Sequence, residues 1–310
     1  MKRFNILKYI FLIPLPFLLA CEKEISYKGG EIDNFLVLNA ALSPDSVVAC
    51  HISVSETILE NHDIQVPADV KATLLEDGKM VGDLQQKEPG GNYILDGFKP
   101  AVGKQYEIRA SYKDYPEVKA KTSIPELAAG EVVAFRYLPN EGKLKITLRV
   151  DDKPGRNFYR LRALSRKYDW SYGENGTEYK PVEPPVYFFV KIESDDAALN
   201  GNKVRNEEGI EGYPSNQYAV FNDELFDGKS YYLSFDMIYY SSNEFSYDDF
   251  CIDLQEITED LHFYYKTVDA FHYYEDRPFS EPVRVFSNVN NGAGIVGGMN
   301  NHLLKVRNKD

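Results

Sequence analysis

The sequence predicts a mainly β protein: an N-terminal immunoglobulin-like β-sandwich over residues 34–125, then a second β-sandwich-like domain over 131–305 with one packed helix near 258–272. Three observations predict it. Short runs rich in β-branched and aromatic residues recur along the chain, with Gly, Pro, Asn and Asp between them. Tyrosine and phenylalanine number 23 and 18 against one tryptophan, a bias that suits the pleated, half-buried surface of strands. Only one stretch, near the C terminus, sets apolar residues at helical spacing.

Taken in order, residues 1–20 have the form of a lipoprotein signal peptide. Lys2, Arg3 and Lys8 make a positive start, and Tyr9 to Leu19 are apolar but too few to span a bilayer, which takes about 20 residues. Leu18-Leu19-Ala20-Cys21 matches the lipobox pattern, in which a small residue precedes a cysteine that is acylated before the signal is removed. Cys21 is therefore the expected lipid attachment, and acyl chains contributing about 0.8 kcal/mol per buried CH₂ would anchor a domain without a spanning helix. The following Glu22-Lys23-Glu24 resembles the short signal that sends Bacteroidota lipoproteins to the outer face of the outer membrane. Residues 21–33, charged and containing Gly29-Gly30, read as a tether.

Strands are expected at 35–42, 47–55, 69–76, 79–85, 92–97, 105–112 and 118–124, the set that suggests the first sandwich. Between the third and fourth, Asp77-Gly78 is the dipeptide of a type I′ hairpin, whose two central positions need positive φ. Residues 124–131 read as a linker. Further strands are expected at 132–138, 143–150, 158–164, 186–192, 217–221 and 231–239, with a long loop over 165–185 and a polar insertion over 193–215. In the helix, Thr258 is placed to cap, Glu259 and Asp260 suit the first turn, and Leu261, Tyr264, Tyr265, Val268 and Phe271 form the apolar stripe. A last strand at 283–286 precedes Ser287 to Gly298, whose glycines suggest tight turns.

Charge narrows the partners. The chain has 35 basic and 48 acidic residues; without residues 1–20 the balance is 32 to 48, or −16. Nucleic acid and anionic lipid headgroups need a basic footprint, so neither is expected as a partner. With Cys21 acylated, Cys50 and Cys251 remain, which is no disulfide scaffold; buried free thiols or one interdomain bridge are both open.

Three stretches carry a family resemblance: "FLVLNAAL" with "ISVSET"; "VDDKPGRNFYRLRAL"; and "ITEDLHFYYKT" followed by "EPVRVFSNVNNGAGIVGG", where Ser287, Asn288, Gly292 and Gly294 form an SN-then-GxG pattern. They resemble the Bacteroidota outer-membrane lipoproteins grouped as domain-of-unknown-function family 4249, over roughly residues 30–300. The resemblance implies a lipoprotein usually encoded beside a TonB-dependent transporter, and it implies no catalytic residues.

Motifs for chemistry are sparse. The histidines show no HExxH or paired-ligand spacing, and His262 and His272, ten residues apart on the helix, point to different faces. Acidic groups at Glu193, Asp195, Asp196, Glu244, Asp248, Asp249 and Asp253 lack the EF-hand pattern and read as solvated loops. Neither a GxSxG elbow nor a phosphate-binding GxxxxGK[ST] occurs, and no cofactor is expected. The candidate contact residues are Tyr168, Trp170 and Tyr172, alternating aromatics in the long loop that could meet a sugar, a peptide or a partner protein, or fold back on the sandwich. The leading expectation is a non-enzymatic, surface-exposed outer-membrane lipoprotein that serves a TonB-dependent transporter as accessory or substrate-capture subunit. An adhesion or structural module is the alternative, and a surface hydrolase with a paired-carboxylate cleft is the third.

Overall fold

The computed structural model describes residues 33–56, 66–173, 176–200, 218–239, 250–274 and 283–306. Cys21, the tether up to residue 32 and the acidic residues Glu244, Asp248 and Asp249 lie outside them. The protein is mainly β. The strands of the first stretch are β1 (Leu36–Leu42), β2 (Val48–Val54), β3 (Lys71–Glu76), β4 (Lys79–Gln86), β5 (Tyr93–Leu95), β6 (Gln105–Ser111) and β7 (Val118–Ser123). They alternate as their sequence does: β7, VKAKTS, buries every second residue. At the β3–β4 turn Asp77 and Gly78 have φ of 47° and 79°, as a type I′ hairpin requires. Asp77 also accepts hydrogen bonds from Lys104 Nζ at 2.6 Å and Gln105 N at 3.2 Å, which ties this turn to the start of β6.

The second stretch contains β8 (Ala129–Leu138), β9 (Lys143–Asp151), β10 (Phe158–Arg166), β11 (Tyr168–Gly173), β12 (Gly176–Pro181), β13 (Tyr187–Glu193), α1 (Ala197–Asn200), β14 (Val220–Asn222), β15 (Ser230–Ile238), β16 (Phe250–Ile257), α2 (Glu259–Tyr274) and β17 (Ala293–Lys305). One continuous sheet runs β7-β6-β3-β4-β5-β2-β1-β17-β16-β10-β13-β15-β9-β8, with β14 beside β10, while β11 and β12 make a separate ribbon. The sheet is curled. Leu38, Ile52, Leu74, Ile108 and Val118, from strands far apart along this path, share one core with Val289 and Val296. A second core gathers Leu148, Leu161, Leu233, Phe235, Ile252 and Val306. Asn34–Asp310 form one unit.

Three expectations need correction. The long loop expected over 165–185 holds the β11–β12 hairpin, in which Trp170 pairs with Tyr179 and Tyr172 with Thr177. The alternation of Tyr168, Trp170 and Tyr172 is the strand period, masked by the Gly, Glu, Lys and Pro that follow them. Residues 283–286 are not a strand; the last strand is β17, whose first six residues, 293–298, fall in the stretch expected to turn. Its glycines serve close approach: a Cβ on Gly298 would lie 1.8 Å from Ser123 O, and one on Gly294 would lie 2.2 Å from Leu38 O. Finally, β16 escaped the strand pattern altogether. All eight of its residues are buried, Phe250, Ile252 and Leu254 in the second core and Asp253 under Arg162 on the opposite face, so it shows no alternation.

β17 pairs in parallel with β1, Val37 opposite Ala293, and antiparallel with β16. Asn288 works as a side-chain extension of this ladder, accepting from Val296 N at 3.0 Å and donating to Val296 O at 2.9 Å. It also donates to Asp260 Oδ2 at 2.8 Å and so links β17 to the first turn of α2. Thr258 faces the same strand: its Oγ1 accepts from Gly298 N at 3.2 Å. Beneath α2, Phe158, Val220, Ile257, Leu261 and Ile295 form a small third core. The expected stripe is rotated, since Leu261, His262 and Asp269 are the buried positions and Phe271 is exposed. No helix among the described residues is long and apolar enough to cross a membrane.

Candidate functional site

The site lies where the sheet is interrupted beside β10. Along one side β10 pairs with β16 from Phe158 to Ser165. Along the other, β14 covers Phe158 to Arg160 and β13 covers Ala163 to Arg166. Between them a cleft of about 1440 Å³ opens, lined by residues of β9, β10, β13 and β15 with Tyr218 and the segment around Asp196.

Strand period explains the floor. In "FYRLRAL", Tyr159, Leu161 and Ala163 enter the second core, so Arg160 and Arg162 project from the opposite face. The register sets Arg162 opposite Asp253 and Arg160 opposite Gln255. Arg162 Nε donates to Asp253 Oδ2 at 2.8 Å, and its Nη2 grips the same oxygen. Gln255 Nε2 donates to that oxygen as well, at 3.0 Å. Arg162 Cζ lies 5.2 Å from the ring centre of Phe189, a cation–π distance. Arg160 is held differently. Its Nη1 donates to Tyr265 Oη at 3.0 Å, and its Cζ lies 4.5 Å from the Tyr265 ring centre and 5.6 Å from that of Tyr218. Burial, with Arg162 as a like-charged neighbour, lowers its pKa, although a guanidinium stays protonated.

The walls carry matched charges. Lys143 Nζ lies 3.4 Å from Glu193 and 3.5 Å from Asp236, Lys145 lies 3.9 Å from Asp236, and Lys191 lies 2.8 Å from Glu193. The hydrogen bond from Lys191, helped by that from Lys143, holds the Glu193 carboxyl below its usual range. Asp196, expected in a solvated loop, is an anchor: it accepts from Ala198 N at 3.0 Å, Tyr231 Oη at 2.7 Å and Ser234 N at 3.1 Å. Burial, and then this bond, pushes the Tyr231 phenol up to about 12.

A second polar cluster joins Asp152, Asp223 and Asp227, whose oxygens lie within 4.8 Å of one another. Each is occupied by backbone: Gly228 N donates to Asp152 at 2.7 Å, Asn157 N to Asp223 at 2.8 Å and Gly155 N to Asp227 at 2.8 Å. Burial, despite the bond from Asn157, raises the Asp223 pKa, and Asp152 and Asp227 add to the rise. These carboxylates staple the loop after β9 to the one after β14.

The residues singled out from sequence therefore fall in different places. Tyr168, Trp170 and Tyr172 occupy alternate positions of β11, and Asp253 is buried in β16. Cys50 and Cys251 are free and buried. Arg160, Arg162 and Tyr218 were missed. The available signal was two arginines two apart in a run otherwise apolar on its second phase, which places both cations on one face of a strand.

The site is an open cleft set into the sheet, with cations on its floor and ion pairs on its walls. The chain belongs to the family described as Domain of unknown function (DUF4249), whose model matches residues 22–303. No curated protein matches it.

Proposed function

We propose that the protein is a surface-exposed outer-membrane lipoprotein, anchored through Cys21, that captures a ligand for a TonB-dependent transporter. The observation that carries this reading is the cleft beside β10: it is large, open and lined by side chains fixed on strands, as ligand sites built on regular elements are. The lipobox and the tether of residues 21–33 supply the other half. An anchor that keeps a binding domain at the membrane raises its concentration beside a transporter in the same bilayer.

Purification with the anchor intact from native membranes, after mild crosslinking, tests the partnership by mass spectrometry. Recovery of one stoichiometric TonB-dependent transporter is the expected result. Recovery of the lipoprotein alone would overturn the partnership and favour an adhesion or structural role, for which Val186, Phe188 and Phe189 offer exposed apolar surface.

A further inference from the structure

The following rests on the capture role proposed above and names the class of what is captured. We infer that the cleft is one end of a longer track that continues onto the β11–β12 ribbon and binds a neutral oligosaccharide lengthwise.

Strand period joins the two parts. Lys167, the single residue between β10 and β11, donates its N–H to Val186 O at 2.7 Å, and its carbonyl accepts from Val182 N at 3.1 Å. Both main-chain groups point towards the same neighbouring strand, so the chain stays extended through Lys167 and keeps its period of two. The even-numbered positions that put Arg160 and Arg162 on the cleft floor therefore carry Tyr168, Trp170 and Tyr172 along the ribbon. Residues directly opposite one another share a face, and Leu164 is opposite Phe189, Arg166 opposite Tyr187 and Trp170 opposite Tyr179. Six aromatic residues thus follow one face from the cleft to the ribbon: Phe189, Tyr187, Tyr168, Trp170, Tyr179 and Tyr172. At about 3.3 Å per residue, the track from Arg162 to Tyr172 runs about 30 Å, twisting with its strands.

The ribbon is two-faced. Its other side pairs Asp169 with Lys180 and Ser171 with Glu178, whereas the aromatic side is completed by Thr177 and Pro181 and holds no charge. A lone two-stranded hairpin is marginal in water, and no described strand extends this one into a larger sheet. A ligand laid along the aromatic face would stabilise it. At the junction with the cleft, Phe189 is 66% exposed while Arg162 Cζ, 5.2 Å from its ring centre, holds one side of the ring.

Charge and area select the occupant. The five cations of the cleft described above are balanced by Glu193, Asp195, Asp196, Asp236 and Asp253, so neither cleft nor ribbon favours a charged ligand. A track about 30 Å long and about 10 Å wide offers roughly 300 Å², well short of the ~800 Å² per partner of a stable protein interface, which disfavours a second copy of the chain. An alkyl chain would desolvate the ion pairs of the cleft walls, and a peptide would leave its main-chain groups unpaired against aromatic rings. A neutral sugar chain meets both halves: its rings lay apolar faces on the aromatic residues, and its hydroxyls find donors and acceptors in the ion pairs and Ser234. The cleft exceeds the 300–1,000 Å³ of ordinary small-ligand pockets, in keeping with a ligand of several rings.

Trp170 is the only tryptophan of the chain, so its emission reports on the ribbon alone. The full mature chain is titrated with cellohexaose, xylohexaose and mannohexaose, followed by fluorescence and by calorimetry. At least one is expected to bind with a change in emission, about tenfold more tightly than its own disaccharide, and with an affinity that added salt leaves unchanged. Phe189→Ala and Tyr179→Ala, which keep the reporter, should each weaken that binding by about fivefold. Calorimetric binding without a change in Trp170 emission would confine the ligand to the cleft and overturn the track, as would equal affinity for hexasaccharide and disaccharide. Absence of binding by all three, or binding of tri-galacturonic acid alone, would overturn the ligand class. None of these results bears on the transporter partnership, which the crosslinking experiment decides separately.

Discussion

At the scale of single residues, burial dictates chemistry more than residue type does. His262 looked like one of five unremarkable histidines, yet it is 2% exposed, its ring lies 5.0 Å from that of Phe158, and its Nδ1 has no hydrogen-bond partner. Burial, and to a lesser degree Lys266, pulls its pKa from 6.5 to about 4. A histidine whose folded pKa lies below its unfolded one stabilises the fold above the unfolded value, and this contribution is lost as pH falls towards the folded value. Between pH 6.5 and about 4 the unfolded chain gains a proton that the folded one refuses. At about 1.4 kcal/mol per pH unit, that difference amounts to roughly 3 kcal/mol. Denaturant unfolding at pH 7, 5.5 and 4 should therefore show His262→Gln losing less stability on acidification than the wild type. Parallel losses in the two proteins would show that His262 is not held neutral.

At the scale of elements, β17 shows what can and cannot be read from the chain. Strands covered on one face alternate, and β1, β7 and β9 lie close to where their periodicity puts them. The Asp77-Gly78 hairpin was legible for the same local reason. β16 is buried throughout and β17 is buried over Ile295 to Gly298, so alternation is lost there, and the glycines of β17 look like turn residues although distant backbone demands them. The cleft was hidden likewise, because only the register of β10 with β16 shows that Arg162 meets Asp253 while Arg160 meets Gln255. Substitution separates the two uses of glycine. In Gly298→Ala the new Cβ would meet the carbonyl oxygen of Ser123 at 1.8 Å, and this atom belongs to the backbone and cannot turn aside. Its loss should exceed about 3 kcal/mol, within the class of severe core defects. In Gly90→Ala, at φ 76° with nothing within 4 Å, the cost should be only the left-handed conformation, about 1–2 kcal/mol. Equal unfolding midpoints for the two variants would contradict this account of β17.

At the scale of the whole molecule, the order of strands in space departs from their order in sequence at one decisive point. β1, the first strand, pairs in parallel with β17, the last, so Val37 and Ala293 become neighbours. Parallel neighbours need a crossover, and here nearly the entire described chain supplies it. The first core depends on that return: Val289 and Val296 belong to it, Asn291 Nδ2 donates to Glu117 O at 3.0 Å, and the backbone of Asn290 pairs with Lys119 on β7. A fragment of residues 34–125 would retain the strands of a small sandwich but leave the outer edge of β1 unpaired and this side of the core open. We therefore expect the fragment to be unfolded or aggregated, and a peptide covering residues 287–305, added in trans, to restore cooperative unfolding. Because so many of these contacts join distant parts of the sequence, refolding of the full chain should also be slow, in the manner of other folds rich in non-local pairing. Circular dichroism and thermal melts of the fragment with and without the peptide would decide the matter. A sharp transition in the fragment alone would mean that β17 completes a domain already stable without it.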